Sequence, residues 1–134
     1  MPRKRLPPDD PREWLNRAAS NLARARTPVS GAYLEDFCFD AQQAAEKAVK
    51  AVLIHHGAVF PYVHDLGRLL KLLDGRGVKI PKYVWDADEL SPFAVESRYP
   101  GLSSPVTARE HRRAVRMAEA VLSWAIRQVE KRRC

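Results

Sequence analysis

The stretch Tyr33–His56, YLEDFCFDAQQAAEKAVKAVLIHH, is the longest helical pattern in the chain and contains neither proline nor glycine. Leu34, Phe37, Ala41, Ala44, Ala48, Val52 and His55 recur at three- and four-residue steps, which places them on one face of a helix. Glu35, Asp36, Gln42, Gln43, Glu46, Lys47 and Lys50 mark the opposite, polar face. Ala41, Ala44, Ala45, Ala48 and Ala51 crowd the middle, and side chains this small let a second helix come close. The stretch reads as the central rod of a helical bundle.

Working back towards the N-terminus, Pro28 to Gly31 is a short connection, so the preceding helix should run antiparallel to the rod. That helix starts with Asp10 as N-cap, Pro11 at the first helical position and Glu13 three residues after the cap. Leu15, Ala18, Leu22 and Ala25 line its inner face, and it stops near Arg26 because Pro28 disfavours helical geometry at Thr27. Residues 1–9 read as a flexible basic arm.

Towards the C-terminus, Gly57 suits the left-handed end of the rod, and Ala58 to Val63 is a loop. His64-Asp65 opens a shorter helix with Leu66, Leu69, Leu70 and Leu73 inward, and Asp65 meets the positive end of its dipole. Asp74 to Gly77 is a turn. Pro81 starts another helix bearing Tyr83, Val84, Ala87 and Leu90, which Ser91-Pro92 either kinks or restarts with Ser91 as cap. Phe93 and Ala94 continue inward until Tyr99-Pro100-Gly101, and Leu102 to Val106 is a loop. Thr107-Ala108-Arg109-Glu110 is a capping box for a last helix that carries Ala114, Ala118, Val121, Ala125 and Val129 inward and runs to about Lys131. The sum is an all-α, up-and-down antiparallel four-helix bundle with an additional short or broken helix, occupying residues 10–131 as one domain and followed by a basic tail at 132–134.

Composition agrees with a single folded domain: 134 residues, 46% of them hydrophobic. No run approaches the roughly 18 apolar residues of a membrane span. The opening MPRKRLPPDDP has no apolar run behind its charges, so no secretory signal is expected. Two cysteines, Cys38 in the rod and Cys134 at the end, imply no disulfide framework and point to a cytoplasmic protein, with Cys38 as a packed residue. The net charge of +7 suits a polyanionic partner, although part of it sits in Arg3-Lys4-Arg5 and Lys131-Arg132-Arg133, where charge often serves only solubility.

The order FCFDAQQAAEKAVKAVLIHHG, then HDLGRLLKLL, then LSPFAVESRYPG, then a long terminal helix resembles the HEPN domain (higher eukaryotes and prokaryotes nucleotide-binding), over roughly residues 12–130. The resemblance implies a small helical bundle that pairs as a homodimer. It implies a neighbouring minimal nucleotidyltransferase as partner, often in a two-component toxin–antitoxin system. A subset of such domains are metal-independent ribonucleases that carry Arg, four to six residues, then His. Here His55, His56, His64 and His111 have no Arg at that distance: Arg109 precedes His111 by two residues and Arg98 precedes it by thirteen. Lys50 stands five before His55, but lysine lacks the planar two-pronged grip of arginine on phosphate. The reading therefore leans against an enzyme. A ribonuclease with a displaced pair, Arg98 with His64 or Arg109 with His111, is the alternative.

The polar signals that accompany the resemblance are Lys47 and Lys50, His64-Asp65 and Arg98-Tyr99. Converging at one end of a cleft, they would suit a nucleotide or phosphate, with Lys and Arg for charge, Tyr99 for stacking and His64 as a donor. The plainer alternative makes Lys47 and Lys50 a solvated face, Asp65 a helix cap and Arg98 a partner of a carboxylate on the rod. Adjacent His55 and His56 point about 100° apart on a helix and chelate poorly, so no metal is expected, and no motif calls for a cofactor. Arg109, Arg112, Arg113 and Arg116 form a charged stripe that faces RNA, an acidic partner or only solvent. Trp14, Trp85 and Trp124 lie beside apolar stripes and read as core or dimer contacts.

Overall fold

A computed structural model describes residues 4–95 and 105–131. Among these residues there are five α-helices and no strand: α1 (Pro11–Arg26), α2 (Leu34–His55), α3 (Leu66–Asp74), α4 (Lys82–Trp85) and α5 (Ala108–Glu130), with a 3-10 helix over Asp86–Ala94. No helix among the described residues is long and apolar enough to cross a membrane.

Each start follows from local chemistry. Asp10 caps α1 by accepting from Arg12 N–H, with Pro11 in the first turn. Glu13 does not complete a capping box; its carboxylate accepts from Leu6 N–H at 2.9 Å and from Arg17 Nε at 2.7 Å. At α5 the box is complete, Thr107 accepting from Glu110 N–H while Glu110 accepts from Thr107 N–H. Gly57, with φ of 69°, supplies the left-handed residue after α2.

The long helices pack around α2. Arg24 of α1 reaches Asp40 near the start of α2, while Trp14 meets Phe60 just beyond its end, so α1 and α2 are antiparallel as expected. Helix α5 runs the same way as α2: Val106 N–H donates to Glu35 at one end, and His55 Nε2 donates to the carbonyl of Lys131 at the other. Ala41, Ala44, Ala45, Ala48, Ala51 and Val52 are fully buried between them, and Trp124 closes the core from α5. The alanines are what allow two helix backbones to flank the same rod.

Of the two readings of Lys47 and Lys50, the solvated face fails for Lys50, which is buried together with Gln42 and Glu46. Ser91-Pro92 neither kinks nor restarts a helix, since α4 passes directly into the 3-10 helix that contains Pro92. Ser91 Oγ instead accepts from Leu66 N–H and donates to Asp88, whose carboxylate also accepts from Gly67 N–H. With Asp65 accepting from Arg68 N–H, the start of α3 is held by three side chains.

Candidate functional site

The half of α2 facing the start of α1 carries a polar cluster with Glu46 at its centre. Glu46 Oε2 accepts from Lys50 Nζ at 2.8 Å, one turn along the same helix. Its Oε1 accepts from Gln42 at 3.0 Å and stands 2.9 Å from Nδ1 of His64. Gln42 also donates to the backbone carbonyl of His64, which fixes the loop that brings the imidazole over the helix. Burial alone would push the Glu46 carboxyl up; the hydrogen bonds from Lys50, Gln42 and His64 outweigh it and hold its pKa below the ordinary carboxylate value. Glu46 is therefore an anion in the fold.

Lys50 is as buried as its partner, and its ammonium also lies 5.5 Å from the Phe60 ring centre and 5.6 Å from that of Tyr62. Trp14 meets Phe60 edge-on at 6.2 Å and donates its indole N–H to the carbonyl of Pro8 at 2.7 Å. Lys47 points to the other side, donating to Asn21 at 2.7 Å, and Asn21 in turn donates to Asp40. Burial, the largest influence on it, pushes the Lys47 ammonium below the usual lysine pKa.

Beside them lies one cleft of about 510 Å³, bounded by Leu6 and Pro8, by Glu13, Trp14 and Arg17 of α1, by Gln43, Glu46, Lys47 and Lys50 of α2, and by Phe60, Tyr62 and His64. The volume lies in the range of small-molecule sites. An aromatic wall (Trp14, Phe60, Tyr62) faces a set of cations (Arg17, Lys47, Lys50), and the half-exposed His64 stands at the edge. Leu6 and Pro8 belong to the segment expected as a flexible arm; both are bonded to α1.

Of the residues singled out in the sequence, Lys47, Lys50 and His64 meet in this cleft. Lys50 does so as a paired and caged cation, Lys47 donates to Asn21, and Arg17, paired with Glu13 but more than half exposed, is the most open of the cleft's cations. Asp65 caps α3 and is not part of the lining. Arg98 and Tyr99 lie outside the described residues. His111 is buried away from the cleft, with Nε2 donating to the Ala25 carbonyl at 2.7 Å and its ring edge-on to Phe37. Arg109 is exposed on α5. No group of three or more His, Cys, Asp or Glu among the described residues could hold a metal ion. Sequence reasoning missed Arg17, Phe60 and Tyr62. Arg17 gave a signal in its spacing to Glu13, one turn apart, but the two aromatics sit in a loop without periodicity.

The family model for the HEPN domain matches residues 11–129. The crystal structure of TT1696 from Thermus thermophilus is 30% identical, with a TM-score of 0.79 over 90% of this chain and 98% of that one. That of ST0689, an archaeal HEPN homologue, is 29% identical, with a TM-score of 0.72 over 96% of this chain and 100% of that one. No functionally curated protein matches. With the match running from the first residue of α1 almost to the end of α5, this chain belongs to the HEPN domain family.

Proposed function

We propose that this HEPN domain is a non-catalytic binding component whose α1–α2 cleft takes a nucleotide. The observation that carries this is the meeting of an aromatic wall with Lys47, Arg17 and His64 in one cleft of about 510 Å³. Aromatic faces accept a base and the cations accept its phosphates. Calorimetry with ATP, GTP and AMP tests the reading. Saturable binding weakened at least about tenfold by Lys47→Met and by Tyr62→Ala is expected; affinity unchanged in both variants would overturn it. The wider role, as a homodimer acting with a minimal nucleotidyltransferase in a two-component system, rests on the family resemblance. Co-expression with a nucleotidyltransferase encoded beside it, followed by gel filtration, tests that part.

A second reading, a ribonuclease, has one specific observation in its favour. Nδ1 of His64 is engaged by a buried carboxylate, an arrangement that orients an imidazole and leaves Nε2 for proton transfer. RNA cleavage in the presence of a chelator, abolished by His64→Ala, would establish this reading over the first.

A further inference from the structure

We infer that the outer face of α5 is a second binding surface, separate from the cleft, that takes single-stranded nucleic acid. Arg109, Arg112, Arg113, Arg116 and Arg127 fall within about 100° of arc on this helix. All five are exposed. Two different kinds of neighbour surround them. Arg113 is paired with Glu89 at 2.8 Å, and Arg127 donates to the Tyr83 hydroxyl at 3.1 Å. Arg109, Arg112 and Arg116 have no carboxylate partner among the described residues.

The placement of these arginines works against folding. Arg109 lies in the first turn of α5, where the helix dipole is positive and further positive charge is unfavourable, and Arg112 and Arg113 follow in the next turn. Arg109 with Arg112, Arg109 with Arg113, and Arg112 with Arg116 are like charges three or four residues apart, which repel. The only acidic residue in that turn is Glu110, which is taken up by the capping box. A helix chosen for stability alone would carry the opposite pattern. Departures of this kind from local preference gather at functional surfaces.

What the stripe fits follows from its composition. Guanidinium forks grip phosphates two-pronged, which a lysine patch cannot do. From Arg109 to Arg127 the face extends about 27 Å, enough for several nucleotides. Between Arg116 and Arg127 it carries Ala120 and Ser123, which leave the helix surface low. Tyr83, half-exposed on the neighbouring α4, stands beside the far end with its hydroxyl on Arg127. A basic track edged by an aromatic ring is what an unpaired strand needs: charge for its backbone and a face for a base. An acidic protein segment would use the charge but not the ring.

Fluorescence anisotropy of the full chain with a labelled twelve-nucleotide oligouridine RNA tests the proposal, with the oligothymidine DNA and a labelled poly-glutamate peptide alongside. Both oligonucleotides should bind within a few fold of each other, because nothing on the stripe reads the 2′-hydroxyl. The slope of log affinity against log salt should be about −3, as contacts to about four single-strand phosphates give. Arg112→Gln with Arg116→Gln should weaken binding at least about tenfold and roughly halve that slope, with both terminal basic segments left intact. Tyr83→Ala should weaken the oligonucleotides about threefold to tenfold and leave poly-glutamate unchanged. Lys47→Met in the cleft should leave oligonucleotide binding as it is. Loss of binding in the cleft variant but not in the stripe variants would overturn the proposal. So would stronger binding of poly-glutamate than of either oligonucleotide. Circular dichroism melting of each variant separates loss of the surface from loss of the fold.

Discussion

Glu46 and Lys50 form an ion pair of 2.8 Å with both partners almost wholly removed from solvent. A pair so placed costs desolvation on both sides, and its removal by halves differs from its removal whole. Glu46→Ala leaves the Lys50 charge uncompensated in the interior and should lower stability by about 3–5 kcal/mol. Glu46→Met combined with Lys50→Met should recover most of that loss. The same double variant should lose ligand affinity, because His64 no longer has a carboxylate to orient it. Urea unfolding of the three proteins, with calorimetry on the double variant, checks both halves.

Acidification should act through the same carboxylate. The Glu46 pKa is lower in the fold than its ordinary value of 4.5, so its contribution to stability is present above that value. It is lost as pH falls through the lower, folded-state value. Stability should therefore fall from about pH 4.5 downward, and more steeply than in Glu46→Gln, which has no proton to take up. Thermal melts of the two proteins in parallel between about pH 7 and pH 3 give the comparison. Equal slopes would mean that other carboxylates, such as Glu13, dominate.

His111 should prove structural. Its Nε2 must carry the proton, since the partner is a carbonyl, and that bond ties the first turn of α5 to the last turn of α1. His111→Ala should cost about 2–3 kcal/mol by leaving the Ala25 carbonyl short of a donor and a gap beside Phe37. Nucleotide affinity measured below the melting temperature should be unchanged. His64→Ala should show the opposite pattern, with a small change in stability and a large one in binding.

Cys38 should be inert. It is fully buried in α2, and burial pushes its thiol pKa up to about 12, so almost no thiolate exists near neutral pH. Iodoacetamide should leave it unmodified in the native protein and modify it in denaturant, as peptide mapping by mass spectrometry will show.

The bundle was legible in the sequence because its signals are local. The cap at Asp10, the box at Thr107, Gly57 and the alanine run of α2 each act within a few residues, and each is found where its spacing placed it. The cleft was legible only in part. Lys47 and Lys50 stand out as cations on one helix, but their opposite fates depend on what lies across from them. Lys50 faces Glu46 and two loop aromatics, while Lys47 faces Asn21 of α1. No pattern along the chain encodes a contact between residues 21 and 47, or between 14 and 60. The polar side of α2 left two readings open for the same reason: a row of Gln, Glu and Lys fits a solvated face or a cleft wall until the loop across it is placed.

The segment before α1 has a consequence for how the cleft can be altered. Leu6 and Pro8, which close one side of the cleft, precede the first residue of α1 and belong to none of the bundle's helices. Replacing that short prefix would reshape the entrance while leaving the helix-to-helix packing of the core in place.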